Sequence, residues 1–226
     1  MRRAMIKIII GNKAYSSWSL RGWLALKQSG LPFEEEVVSL YDDAWAARRQ
    51  QADIAPSAGK VPILWDGDIA VWESLAIVDY LADKVGADRF WPADPAARGC
   101  ARSIAAEMHA GFADLRRECP TVFRKTFPTR TISAAAQANV DRIVALWDQA
   151  LTRFGGAKDN NGDGFLFGAF SAADIMYAPV TTRFTTYSLP LPNFARAYCE
   201  RVQAHPFVRE WVDDAQRETW VIEKFE

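Results

Sequence analysis

Apolar and polar positions change their rhythm once along this chain. In Ile6-Lys7-Ile8-Ile9-Ile10 the β-branched residues run almost unbroken, the pattern of a strand buried on both faces, and Gly11-Asn12 ends it. From Ser17 the spacing turns helical, with Leu20, Trp23, Leu24 and Lys27 on one side, and it stops at Gly30 ahead of Leu31-Pro32. Residues 33–40 read as a second strand, and Pro32 stands at its start, where no interior ladder bond is lost. Residues 42–52 predict a short helix and Ala55-Pro56-Ser57-Ala58-Gly59 a loop. Residues 61–65 and 69–72 form a hairpin around Asp66-Gly67-Asp68, because Asp-Gly suits a tight primed turn. A helix from Glu73 or Ser74 then carries Ile77, Val78, Leu81 and Val85 on its inner face.

The order β-α-β-α-β-β-α over residues 4–85 predicts a small α/β domain, a four-stranded mixed sheet with helices on both faces. Residues 86–94, with Trp91-Pro92 and the approach to Asp94-Pro95, break both periodicities and read as a linker. Residues 95–226 are expected to be all-helical. Cys100, Ile104, Met108, Phe112 and Leu115 make one stripe, and Val140, Ile143, Val144, Trp147 and Leu151 another. Further stripes pass through Ile175, through Phe194, Tyr198 and Val202, and through Phe207, Val208 and Trp211; such faces are what bundle helices pack with. Ser171 is placed to cap a helix, with Asp174 reaching back and Phe170 as a staple, a folding signal in which an alanine costs about 1 kcal/mol.

Composition narrows the function classes. The chain has 226 residues, half of them apolar, enough to bury a sizeable core without staples. A net charge of −1 gives no broad basic field for nucleic acid or anionic membrane. The basic start Met1-Arg2-Arg3-Ala4-Met5 leads into an apolar run too short for a signal core or a span, so a cytoplasmic protein is expected. Cys100, Cys119 and Cys199 form no C-x-x-C pair and read as buried and inert. His109 and His205 are too few and scattered for zinc, so no metal is expected. Asp159-Asn160-Asn161-Gly162-Asp163-Gly164 copies half a calcium loop, but Phe170 stands where the bidentate Glu belongs, so a polar turn is the better reading. Ser57-Ala58-Gly59-Lys60 has S-x-x-K spacing among Pro and Gly neighbours that argue against its helix.

Three features fall at the ends of elements in the first half, where α/β sheets gather ligands. Tyr15-Ser16-Ser17-Trp18-Ser19 enters the first helix, where free N–H groups carry partial positive charge and a hydroxyl can serve either as a cap or as a donor to a thiolate. Lys60-Val61-Pro62 opens a strand, and a cis bond at Pro62 would turn the Val61 backbone groups outward to a bound peptide. Glu73-Ser74 starts the next helix, where hydroxyl and N–H groups can hold a carboxylate and Glu73 an ammonium, or where both simply serve the helix end.

These residues, with Gly59-Lys60-Val61-Pro62-Ile63-Leu64, Trp72-Glu73-Ser74-Leu75-Ala76-Ile77-Val78-Asp79-Tyr80-Leu81 and Ser171-Ala172-Ala173-Asp174-Ile175, resemble the glutathione S-transferase superfamily, in order and across nearly the whole chain. The resemblance implies a thioredoxin-like N-terminal domain with an all-α C-terminal bundle, usually a homodimer. Glutathione would bind in the first half and a hydrophobic electrophile beside the second. It implies Ser16 at the glutathione sulfur, with Ser17 as the alternative, Val61 pairing its backbone with the cysteinyl part, Lys60 near the glycyl end, and Glu73 and Ser74 at the γ-glutamyl end. The Ser-Ser-x-Ser stretch is similar to the zeta class, but Trp18 stands where that class has Cys, so isomerase activity is not carried over. The cysteine of the omega and beta classes is missing at this helix start, which argues against thiol reductase activity. The implied reaction is conjugation of a glutathione thiolate, as in detoxification; a non-catalytic interaction module of the same fold and a glutathione-dependent isomerase or dehalogenase are the alternatives. A free thiol ionises near about 8.5, so the site need only favour the anion.

Overall fold

The computed structural model describes residues 5–128, 130–155 and 163–225. Four strands form one mixed sheet in the order β2-β1-β3-β4, with β1 Ile6–Gly11, β2 Phe33–Val38, β3 Ile63–Asp66 and β4 Ile69–Trp72. β1 runs parallel to β2 and antiparallel to β3, and β3 is antiparallel to β4. Ile8 and Ile10 enter the main core while Ile9 packs with Val38, Ile54 and Ile63 on the other face, which is why β1 is apolar at almost every position. Lys7, the exception, pairs with Glu36 of β2 at 2.6 Å. The hairpin is tighter than Asp66-Gly67-Asp68 suggests: Asp66 pairs with Ile69, so Gly67 and Asp68 alone make the turn and Gly67 takes the positive φ of 66°.

Helix α1 spans Ser17–Ser29 and ends at Gly30 in the left-handed conformation, as the spacing predicts. The second predicted helix is shorter than residues 42–52: α2 is one turn, Trp45–Arg48, with no buried residue to anchor a longer one. Helix α3 spans Ser74–Val85. The following segment is packed down, with a 3₁₀ turn at Ala87–Arg89, Phe90 and Trp91 buried, and the Phe90 carbonyl accepting from Ala172 N–H at 2.9 Å.

The remaining helices are α4 Pro95–Ala110, α5 Ala113–Glu118, α6 Ala134–Phe154, α7 Ala172–Thr186, α8 Asn193–Ala204 and α9 Pro206–Arg217. The stripe from Cys100 to Leu115 is not one helix: α4 stops at Ala110 and Phe112 takes a left-handed φ of 63°, so Leu115 lies on α5. Helix α7 is the axle of this half and is buried on almost every side. At its start the Asp174 carboxylate accepts from Ser171 N–H (2.9 Å), Ser171 Oγ (2.9 Å), Leu166 N–H (3.1 Å) and Tyr198 Oη (2.9 Å). The expected cap is therefore also a buried junction joining the preceding loop to α8. The architecture is a thioredoxin-like unit followed by a helical one. The calcium-like stretch falls mostly outside the described residues. Burial pushes the Cys119 and Cys199 thiols up, to about 11 and about 12, as befits inert cysteines.

Candidate functional site

The three element ends singled out in the sequence meet in one cleft of about 670 Å³, lined by Ser16, Ser17, Lys60, Val61, Glu73 and Ser74 among others. The loop after β1 brings the first pair. Asn12 holds its bend, its carbonyl accepting from Tyr15 and Ser16 N–H groups at 3.1 and 2.9 Å. Ser16 is the N-cap of α1: its Oγ accepts from Ser19 N–H at 3.3 Å and donates to Ser19 Oγ at 2.8 Å, and Ser19 Oγ accepts from Gly11 N–H at 2.9 Å. Ser17 is placed differently. Its Oγ accepts from Arg183 Nη2 at 3.2 Å and donates to no acceptor among the described residues.

The Val61–Pro62 bond is cis, and neither backbone group of Val61 has a backbone partner among the described residues. Gly22 of α1 is what lets Pro62 sit this close to the helix, since a Cβ there would lie 2.9 Å from Pro62 Cγ. Glu73 precedes α3 at φ 66°, a conformation that non-glycine residues seldom hold without reason. Its carboxylate lies 3.4 Å from His109 Nε2 and 3.8 Å from Lys60 Nζ. Burial, ahead of the attraction of Glu73, leaves His109 below its ordinary value. Ser74 is fully buried and its Oγ has no partner among the described residues, a free hydroxyl beside the open end of α3.

Sequence reasoning picked out Lys60 but missed the arginines that share the cleft with it. Arg49, Lys60, Arg116, Arg117 and Arg183 line the cleft against a single acid, Glu73, although the chain as a whole carries −1. Arg183 is buried, its Nε donating to the Cys119 carbonyl at 2.9 Å. Arg116 donates through Nε to the Gly111 carbonyl at 3.0 Å and through Nη2 to the Met108 carbonyl, at the end of α4. Arg116 and the fully buried Arg21 clasp the Trp18 ring, their Cζ atoms 4.7 and 4.8 Å from its centroid. Burial first, and then mutual repulsion, pushes Arg21 and Arg183 down; burial alone does so for Arg116. Helical spacing explains arginines at 116 and 183 as surface or capping residues, and only the packing of α7 on α1 and the reach of Arg116 from α5 to the Trp18 ring bring them here. Tyr15, Trp18 and Phe225 supply aromatic surface to the cleft, while Phe112 and Phe123 are core residues outside its lining.

Comparison with known proteins points to one family. Residues 15–84 match the family model "Glutathione S-transferase, N-terminal domain" and residues 130–214 match "Glutathione S-transferase, C-terminal domain". The glutathione S-transferase GstB of Escherichia coli K12 is 31% identical over 159 residues, 68% of this chain and 74% of that protein. Dichloromethane dehalogenase of Methylorubrum extorquens is 43% identical over a shorter 61 residues, 27% of this chain and 21% of that protein. Among solved structures, a Burkholderia glutathione transferase homolog with bound glutathione superposes with a TM-score of 0.69 at 23% identity, covering 96% of this chain and all of that one. The theta-class enzyme of Xanthomonas axonopodis pv. citri, also with glutathione bound, gives 0.66 at 22% identity over 92% of this chain and 97% of its own. With two family models in order and a relative above three-tenths identity over most of both lengths, the chain belongs to the glutathione S-transferase superfamily.

Proposed function

We propose that the cleft binds glutathione and that the protein joins the glutathione thiolate to an electrophilic carbon. The observation that carries this reading is the convergence of the α1 opening turn, the Lys60-Val61-cis-Pro62 segment and the α3 opening turn on one electropositive cleft. In this reading the γ-glutamyl carboxylate takes the free Ser74 Oγ and the α3 N–H groups, and the ammonium takes Glu73. The cysteinyl amide pairs with the unpaired backbone of Val61, and Lys60 meets the glycyl carboxylate.

The sulfur then lies at the α1 opening turn, where the helix N-terminus favours an anion. The hydrogen bonds support Ser17 as its donor more than Ser16, the first expectation. Ser16 spends its hydroxyl on the cap, whereas the Ser17 oxygen accepts from a guanidinium and keeps its own proton to give. A donor polarised in this way lowers the thiol pKa and raises the thiolate fraction at neutral pH. The thiolate attacks carbon, the C–S bond forms, and the leaving group departs with its electron pair.

Calorimetric titration with glutathione, followed by turnover of a panel of benzylic chlorides and chloronitrobenzenes, tests the reading. Binding together with turnover supports it. Binding without turnover indicates a non-catalytic module, and no binding refutes it. A homodimer belongs to the same proposal, and sedimentation velocity tests it separately.

A further inference from the structure

Three donors in the cleft have no acceptor among the described residues: Nη1 of Arg183, Nη1 of Arg116 and Oγ1 of Thr121. All three residues line the cleft, where Arg183 reaches from α7 to Ser17 at the α1 opening turn. Arg183 is 4% exposed and Thr121 3%, so bulk solvent reaches little of either. No carboxylate among the described residues forms an ion pair with Arg116, Arg183 or Arg21 behind them. Their existing bonds go to the carbonyls of Met108, Gly111 and Cys119 and to Ser17, which orient the guanidiniums but do not neutralise them.

Buried guanidiniums without a counter-charge are costly, and a planar fork is the group that best matches a carboxylate. We propose that Arg183, Arg116 and Thr121 form an anion subsite for the second substrate, which is therefore a small electrophile bearing a carboxylate rather than a purely hydrophobic one. The inference rests on glutathione occupying the cleft as proposed above. Arg117 at the mouth is already paired with Asp114 at 2.5 Å and Glu118 at 3.9 Å, so the uncompensated charge is that of Arg116 and Arg183. A carboxylate seated on Arg183 brings the rest of the molecule beside Ser17, where the glutathione sulfur is assigned, so one guanidinium orients both partners. With a benzylic chloride as electrophile, the thiolate sulfur bonds to the benzylic carbon as the C–Cl bond breaks, and chloride leaves with the electron pair.

The test separates this subsite from the glutathione site. The protein is saturated with S-methylglutathione, which carries no thiolate, and titrated calorimetrically with p-nitrobenzoate and with its neutral match p-nitrobenzamide. The carboxylate is expected to bind at least about tenfold tighter. Arg183→Gln and Arg116→Gln should each cut that ratio about threefold or more, and Arg183→Lys, which keeps the charge, should retain most of it if the glutamine variant misfolds. A ratio near one in the loaded wild-type protein, or a ratio that both glutamine variants leave intact, overturns the subsite while the glutathione reading stands. If S-methylglutathione itself fails to bind, the glutathione reading falls, and the same ratio on the unloaded protein decides the subsite alone. In turnover, p-(chloromethyl)benzoate should exceed p-(chloromethyl)benzamide about tenfold in kcat/KM after each is divided by its spontaneous rate; equal values count against the proposal.

Discussion

Arg183, in the last turn of α7, donates a 3.2 Å hydrogen bond to the hydroxyl of Ser17, the first residue of α1, across 166 positions of sequence. The bond ties the helical half to the opening turn on which thiolate formation is proposed to depend. Ser17→Ala removes the donor to sulfur, and Arg183→Gln removes the charge that polarises it. Either change should raise the pKa of the bound thiol by about one unit, so the rate at neutral pH falls by about three- to tenfold and recovers as the buffer is made alkaline. Thiolate absorbance in the ultraviolet, read against pH with glutathione bound, checks the shift, and an unmoved midpoint in Ser17→Ala would remove Ser17 from the chemistry.

The neighbouring serine should fail in another way. Ser16→Ala deletes the α1 cap and frees Ser19 N–H, so it should cost about 1 kcal/mol of stability. Denaturant melts should show this clearly, while the thiol midpoint moves less than in Ser17→Ala. If Ser16→Ala raises the midpoint and leaves the melt alone, the two roles are reversed.

Local chemistry explains which parts of this fold were legible beforehand. The bounds of α1, the β-branched run of β1, the hairpin and the cap at Ser171 depend on neighbours within a few residues, and each follows from spacing and turn type. The break at Gly111-Phe112 did not, because the apolar rhythm carries straight on from Met108 to Leu115 while the backbone turns through a left-handed residue. The arginine wall was hidden for a different reason. Arg116 and Arg183 look like ordinary basic residues near helix ends, and their meaning comes from tertiary packing that places them beside Trp18 and Ser17. The choice between Ser16 and Ser17 was equally a matter of three-dimensional partners.

Asp174 gives a pH dependence of defined sign. Its full burial, opposed by four hydrogen bonds, lifts the carboxyl to about 6, against about 3.9 in an unfolded chain. The native state therefore holds the proton more tightly, and this group's contribution to stability rises as pH falls from 7 towards 4. Between pH 7 and pH 5 the gain is about 1.4 kcal/mol. Urea melts of wild type and Asp174→Asn at both pH values should show it, since the difference between the two proteins changes by that amount. A carbon chemical shift for the Asp174 carboxyl that titrates near 4 would contradict it.

Gly22 sits inside α1, where alanine would ordinarily gain about 1 kcal/mol of helix stability. Here an added Cβ meets Pro62 at 2.9 Å (Cγ) and 3.0 Å (Cβ), and Ile8 Cδ1 at 3.4 Å, so the ring or the helix must move. Gly22→Ala should therefore destabilise by about 1–3 kcal/mol, as overpacked cores do. Because Val61 precedes Pro62 and is assigned to the cysteinyl amide, glutathione affinity should fall about tenfold as well. Gly99→Ala on α4 is the control: nothing lies within 4 Å of its added Cβ, and it should raise stability by about 0.5–1 kcal/mol without touching affinity. Thermal melts and glutathione titrations of both variants separate the two cases, and a stabilised Gly22→Ala with unchanged affinity would show that the contact with Pro62 does not position the site.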